Sequence, residues 1–179
     1  MQEEFVFSGF GGQGVMFAGQ LLAYTAMDEG LEVTWIPSYG PEMRGGTAHC
    51  FVVISDRVIG SPLVAHPTNA IIFNKPSFDK YEQEVAKGGR LVLNTSLVTQ
   101  KSLRDDINII EVSATDIAYD IGDQRLTNMV LLGALLCDHP ILPIEALKRA
   151  LESHIPKHRR NLLEKNYLAI ERGAELLHA

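Results

Sequence analysis

Apolar positions along this chain come in short runs punctuated by glycine and proline, and their spacing switches between the strand period and the helix period. Phe5 to Phe7 reads as a brief apolar strand. A glycine loop from Gly9 to Gly14 follows, and then a helical pattern from Val15 to about Glu29 that Gly30 stops. Val33 to Ile36 mixes β-branched and aromatic residues up to Pro37, so it predicts a second strand and completes a β-loop-α-β unit. Thr47 to Ser55 is apolar on both alternating faces, with Ala48, Cys50, Val52 and Ile54 on one and Phe51 and Val53 on the other, the pattern of a central strand. Ser55-Asp56-Arg57 has turn chemistry and predicts a hairpin into a short strand at Val58-Ile59, which would make the sheet mixed.

Further strands are expected at Ala70 to Phe73, Leu91 to Leu93 and Ile107 to Val112, with helices over Ser77 to Ala86, Thr127 to Asp138 and Pro143 to Ser153. In the last segment Leu163, Tyr167, Ile170, Ala174 and Leu177 alternate spacings of four and three, which sets them on one helical stripe that must pack on something. With no internal repeat and no linker, the expectation is one domain over residues 1–179. Its fold class is α/β, a mixed, mostly parallel sheet flanked by helices, with a Rossmann-like N-terminal β-α-β unit.

Bulk properties narrow the function. A hydrophobic fraction of 46% with 21% charged residues is that of a globular chain. The net charge of -6 argues against nucleic acid as a partner, because phosphate-backbone affinity needs a basic surface. The start is acidic, and the longest apolar run, Met129 to Cys137, is far too short to span a bilayer, so a cytoplasmic protein with no membrane contact is expected. Cys50 and Cys137 lie in apolar stretches without Cys-x-x-Cys spacing, which supplies neither an iron-sulfur cluster nor a zinc site and reads as two buried thiols.

Two loops could carry chemistry. Gly9-Phe10-Gly11-Gly12-Gln13-Gly14 has the spacing G-x-G-x-x-G between a strand and a helix, where glycines let backbone approach a phosphate and the helix N-terminus offers N–H groups. The dinucleotide fingerprint also needs an acid at the end of the second strand, and here that strand runs into Pro37-Ser38 instead. A tight turn packing helix on strand accounts for the same glycines about equally well. The second loop, Ser38-Tyr39-Gly40-Pro41-Glu42-Met43-Arg44-Gly45-Gly46, follows the second strand, and it should leave the sheet on the same edge as the glycine loop and from an adjacent strand. Elsewhere, His49 reads as a core or interface histidine, Asp116, Asp120 and Asp123 as an acidic helix face and Lys157-His158-Arg159-Arg160 as a surface cluster, so no metal and no catalytic group is assigned.

Together, the two loops resemble the paired signature of the gamma subunits of 2-oxoacid:ferredoxin oxidoreductases. Val53-Ile54-Ser55, Ile59-Gly60-Ser61-Pro62, Asn128-Met129, Leu132-Gly133-Ala134, Asn166, Ala169 and Gly173 continue the resemblance over nearly the whole chain. It implies a subunit of a complex that oxidatively decarboxylates a 2-oxoacid, reduces ferredoxin and acylates coenzyme A. Thiamine diphosphate, magnesium and iron-sulfur clusters would sit in partner alpha, beta and ferredoxin-like subunits, and the isolated chain would be inactive, would bind no cofactor alone and could form a homodimer. Phe10 and the Gly45-Gly46 pair look most like the 2-oxoglutarate branch, with pyruvate, branched-chain 2-oxoacids and indolepyruvate as alternative substrates. The implied contacts are Gly9, Gly11, Gly12, Gln13 and Gly14 toward an anion or a partner's cofactor, and Ser38, Tyr39, Glu42, Arg44, Gly45 and Gly46 toward a partner or active site. An independent nucleotide-binding oxidoreductase and a noncatalytic interaction module stand as the other readings.

Overall fold

The structure is a computed structural model and describes residues 1–39 and 47–176. The described residues form one six-stranded sheet: β1 (Gln2–Phe10), β2 (Glu32–Tyr39), β3 (Thr47–Ser55), β4 (Asn69–Ile72), β5 (Arg90–Asn94) and β6 (Asn108–Val112), in the order β2-β3-β1-β4-β5-β6. β1, β4, β5 and β6 are parallel neighbours, while β3 runs antiparallel to both β1 and β2. The sheet is therefore mixed and mostly parallel, with β3 the one reversed strand.

That arrangement corrects two expectations. Val58 and Ile59 are not a strand: β1 and β2 already occupy both edges of β3, so a hairpin partner has no ladder to join, and Val58 is left 84% exposed. β1 and β2 are also not adjacent, because the α1 (Val15–Asp28) crossover skips a position that β3 then fills.

The sheet's first face is closed by helices. α1 lies over β1, β2 and β3, and α4 (Thr127–Asp138) lies over β5 and β6. Behind them pack α3 (Ala114–Ile121), α5 (Ile144–His154) and α6 (Leu163–Glu175). Every residue of α4 from Thr127 to Leu136 is buried, as befits a helix apolar all round and covered on every side. The second face carries only α2 (Lys75–Tyr81) with a 3-10 turn at Glu82–Glu84, where Phe78, Tyr81 and Val85 pack on Val6, Ala70, Ile72, Leu91 and Leu93. The helix expected over Ser77 to Ala86 is thus shorter, starting earlier because Asn74 caps it through Ser77 N at 3.1 Å.

In α6 the buried positions are Asn166, Ala169, Ile170 and Gly173, so the stripe facing the core is rotated from the one expected at Leu163, Tyr167, Ile170 and Ala174; Leu177 lies outside the described residues. The reason is a close crossing with α4. A Cβ on Gly133 would strike the carbonyl oxygen of Ile170, and one on Gly173 that of Val130, so small residues hold the seam and larger ones flank it. Among the described residues no helix is long and apolar enough to cross a membrane.

Candidate functional site

The carboxyl ends of β1 and β2 and the amino end of β3 share one edge of the sheet. β1 ends at Phe10, register-paired with Thr47, and the glycine loop follows at once. The start of β3, rather than the end of β2, is therefore the strand terminus beside the end of β1. Gly12 and Gly14 have φ of 99° and 75°, the left-handed region that side chains disfavour. Space differs between the glycines. A Cβ on Gly9 would sit 2.7 Å from Gln13 Oε1 and 2.8 Å from Phe73 Cβ, and one on Gly14 would meet the Asn128 amide, whereas Gly12 opens onto nothing within 4 Å.

Hydrogen bonds hold the loop in shape. Gln13 Oε1 accepts from Phe10 N at 2.7 Å and from Asn74 Nδ2 at 3.1 Å, so the Gln13 side chain latches the glycine loop to the end of β4. Asn128 on α4 donates to Gly14 O at 3.2 Å and fixes the loop's other end. Asn94, at the end of β5, donates in the same manner to Phe73 O and to Thr115 Oγ1. Asparagines thus tie this edge together, and α1 starts at Val15 after Gly14, with no side chain capping it and no acid in its first turn. Its terminal N–H groups and positive dipole end face the loop.

Beside that terminus lies a cavity of about 270 Å³ lined by Gly12, Gly14, Phe17, Arg125, Asn128, Arg159 and Asn166 among others. Arg125 is clamped in place by Asp123, with Nη2 to Oδ2 at 2.7 Å and Nε to Oδ1 at 2.9 Å. The Arg125 guanidinium holds the Asp123 carboxyl below the usual carboxylate range. Arg159 comes from a 3-10 turn at Lys157–Leu162 and is exposed. A second cavity of about 260 Å³ shares Phe17, Ile155, Pro156 and Arg159 with the first and extends along α1 to Tyr24 and His154, whose rings stack at 4.1 Å and 10°. Uncapped helix amides, an open glycine and the Arg159 guanidinium, with Arg125 already paired to the Asp123 carboxylate at the same cavity, suit a phosphate or carboxylate.

The sequence-expected residues divide into three groups. Gly9, Gly11, Gly12, Gln13 and Gly14 all lie at the edge, but Gly9 and Gln13 serve the loop's own packing and only Gly12 and Gly14 line the cavity. Ser38 is half-buried near the end of β2, paired across the strand with His49 on β3, on the sheet's second face. Tyr39 ends β2, while Gly40, Glu42, Arg44, Gly45 and Gly46 lie outside the described residues. Arg125 and Arg159 were missed as site residues. The first carries no motif, and the second sits within a basic run that reads as surface until the fold brings it against α1. His49 is half-buried against the rings of Phe51 and Tyr81 at 5.6 and 5.9 Å. Asp123 is engaged by Arg125, while Asp116 and Asp120 are exposed on α3. Neither cysteine is in a disulfide, and burial pushes the Cys50 thiol up to about 12, which makes it inert.

Fold and site together define a mixed α/β domain whose glycine-loop edge borders a cavity lined by Arg125 and Arg159. Residues 4–176 match the family model for pyruvate ferredoxin/flavodoxin oxidoreductase, and the chain belongs to that family. It is 35% identical over 179 residues to the 2-oxoglutarate synthase subunit KorC of Methanocaldococcus jannaschii, covering 98% of this chain and 94% of that one. It is 42% identical over 129 residues to the ketoisovalerate oxidoreductase subunit VorA of Methanothermobacter marburgensis, covering 72% of this chain but 27% of that one. In a second VorA, from Methanothermobacter thermautotrophicus, the match spans 35% of the relative, so the chain corresponds to about a third of these longer proteins.

Among solved structures, the gamma subunit of a keto/oxoacid ferredoxin oxidoreductase from Geobacter sulfurreducens matches with a TM-score of 0.83 and 29% identity over 99% of both chains. The 2-oxoglutarate:ferredoxin oxidoreductase of Magnetococcus marinus, solved with 2-oxoglutarate, coenzyme A and succinyl-CoA bound, matches with a TM-score of 0.90. At 22% identity over 31% of that chain it shows the shared fold. The mixed α/β fold and the gamma-type resemblance expected from the two loops are both borne out.

Proposed function

We propose that this chain is the gamma subunit of a cytoplasmic 2-oxoacid:ferredoxin oxidoreductase of the 2-oxoglutarate type, and that its glycine-loop edge holds the phosphate end of coenzyme A for chemistry done on partner subunits. The carrying observation is the cavity at the start of α1, where Gly12, Gly14, Arg125 and Arg159 converge. Full-length similarity to subunits named for 2-oxoglutarate supports the substrate, although relatives named for ketoisovalerate and pyruvate also align. Thiamine diphosphate, magnesium and iron-sulfur clusters belong to the alpha, beta and ferredoxin-like partners in this reading. An independent nicotinamide enzyme is disfavoured by the end of β2, which carries Ser38 where a ribose-binding acid is required.

Under this reading the guanidinium groups bind and orient an anionic co-substrate but move no proton. The test is the reconstituted complex, assayed for 2-oxoglutarate-dependent ferredoxin reduction at varied coenzyme A. Arg159→Ala should raise KM for coenzyme A roughly ten- to a hundredfold with little change in kcat, the loss of one charge-assisted contact of about 1.5 to 3 kcal/mol. Arg44, whose planar fork would reach a carboxylate or phosphate across an interface, should behave alike: Arg44→Ala and Arg44→Lys reduce assembly or turnover but leave the lone chain folded. A complex that turns over pyruvate and not 2-oxoglutarate overturns the substrate assignment. Unchanged KM in Arg159→Ala removes the cavity from the site.

A further inference from the structure

The second sheet face is finished only in part. α2 covers β1, β4 and β5, and among the described residues no helix lies over the outer strip made by β2 and β3. Its cross-strand pairs are Thr34 with Val53, Ile36 with Phe51 and Ser38 with His49. Ile36, in the middle of a strand, is 36% exposed, and Phe51 and His49 are half-buried with the Tyr81 ring along one side. Two buried hydroxyl oxygens on this face, Thr34 Oγ1 and Tyr81 Oη, have no hydrogen-bond partner. Native structures seldom leave such groups unmade. β2 is also an edge strand, with no further strand paired to its outer side among the described residues.

The relatives differ in whether this domain stands alone or is part of a longer chain. In KorC the match covers 94% of the relative, whereas it covers 35% of a VorA that aligns over 94% of this chain and 31% of the Magnetococcus chain. A fused domain is held to its neighbour by covalent continuity, at millimolar effective concentration. A stand-alone chain must obtain the same association from its own surface, and a stable complex buries roughly 800 Å² on each partner. The helical layer is the more charged surface, with Glu145, Arg149, Glu164 and Glu171 on the outward sides of α5 and α6 beside the exposed Leu168 and Leu176. We infer that the β2–β3 strip is the docking surface for the oxidoreductase polypeptide that is continuous with this domain in the longer relatives. The complementary surface is apolar over Ile36 and Phe51 and carries a carboxylate toward the exposed Lys80, whose Nζ lies 4.8 Å from the Tyr81 ring.

This inference rests on the gamma-subunit reading, and the test separates the two. The chain is titrated against the partner subunits of its own complex, in wild-type form, as Ile36→Asp, and as Leu168→Asp on the exposed side of α6. Ile36→Asp should weaken binding about ten- to a hundredfold with thermal unfolding near that of the wild type, while Leu168→Asp binds within about threefold. Hydrogen exchange, which needs no variant, should slow across residues 32–39 and 47–55 on complex formation. Protection confined to α3 and α6, or wild-type affinity in Ile36→Asp, overturns the docking face. A homodimer that Ile36→Asp dissociates while partner binding stays intact assigns the strip to a second copy and also overturns it. Failure of the wild-type chain to bind any partner subunit sinks the subunit reading itself.

Discussion

The two faces of the sheet are made by alternate residues of the same strands, yet they are finished to different standards. On the helix-covered face Phe5, Phe7, Cys50, Val52, Ile54, Ile71, Phe73 and Val92 are all fully buried. On the other face Val6, Ala70, Ile72 and Leu91 are equally buried under α2, but burial fades across β3 to β2, where Phe51 and Ile36 retain exposed surface. Burying apolar area stabilises at about 25 cal/mol per Å² wherever it occurs. The difference therefore separates area spent on folding from area left for association.

The sharpest test of that contrast is on the closed face, at the seam of α4 and α6. Gly133→Ala places a methyl against the backbone carbonyl of Ile170, which cannot turn aside as a side chain would. The expected loss is about 3 kcal/mol, the upper part of the overpacking range, or a fall in Tm of roughly 6 to 12 °C. Ile36→Ala on the open face should cost less than about 1 kcal/mol in the lone chain, because much of the side chain already meets water. Thermal unfolding of both variants measures the contrast directly. If Gly133→Ala melts with the wild type, the seam is looser than its geometry says.

A smaller effect is expected at the edge where the two faces meet. Asn74 caps α2 on the open face and also donates to Gln13 in the glycine loop, so Asn74→Ala removes a cap and a latch at once. A loss of about 1 to 2 kcal/mol is expected for Asn74→Ala, and about 1 kcal/mol for Gln13→Ala, which leaves Phe10 N without its partner. In a double-mutant cycle the two should be non-additive, since they share one bond. Additive losses would show that the loop and α2 are held independently.

Much of this architecture is legible in the sequence, for reasons that also explain what is not. The strand at Thr47–Ser55 is apolar on both faces, and a strand in the interior of a sheet must be. The glycine loop announces itself because Gly12 and Gly14 need left-handed backbone. The direction of β3 was hidden, since periodicity reports burial and not polarity of the chain. The false hairpin at Val58 followed from that, because nothing local reveals that both edges of β3 are taken. In α6 a stripe chosen by side-chain size missed Gly173, where the contact requires the absence of a side chain. Arg125 and Arg159 join the glycine loop only through the packing of α4 and of the turn before α6 against α1, which one-dimensional spacing does not encode.

The smallest predicted effect probes the boundary of the open face through proton binding. Burial, and secondarily the charge of Lys80, holds the His49 imidazole below the usual histidine range. The unfolded chain therefore takes up this proton first as pH falls, so the stabilisation from neutral His49 is fully present above about pH 6.5 and is lost as pH drops through the folded-state value. One proton changes stability by at most about 1.4 kcal/mol per pH unit, and a half-buried ring should give only a fraction of that. Urea midpoints measured between about pH 7.5 and 5.5, above the main carboxylate range, should decline for the wild type and decline less for His49→Gln. Lys80→Met should also flatten the slope, since the like charge that disfavours protonation is gone. Docking of a partner over Ile36 and Phe51 would bury His49 further and steepen the same dependence in the complex. Parallel pH profiles for the wild type and His49→Gln would show that the strip is already as wet as solvent, and that its half-burial holds the ring no differently from the unfolded chain.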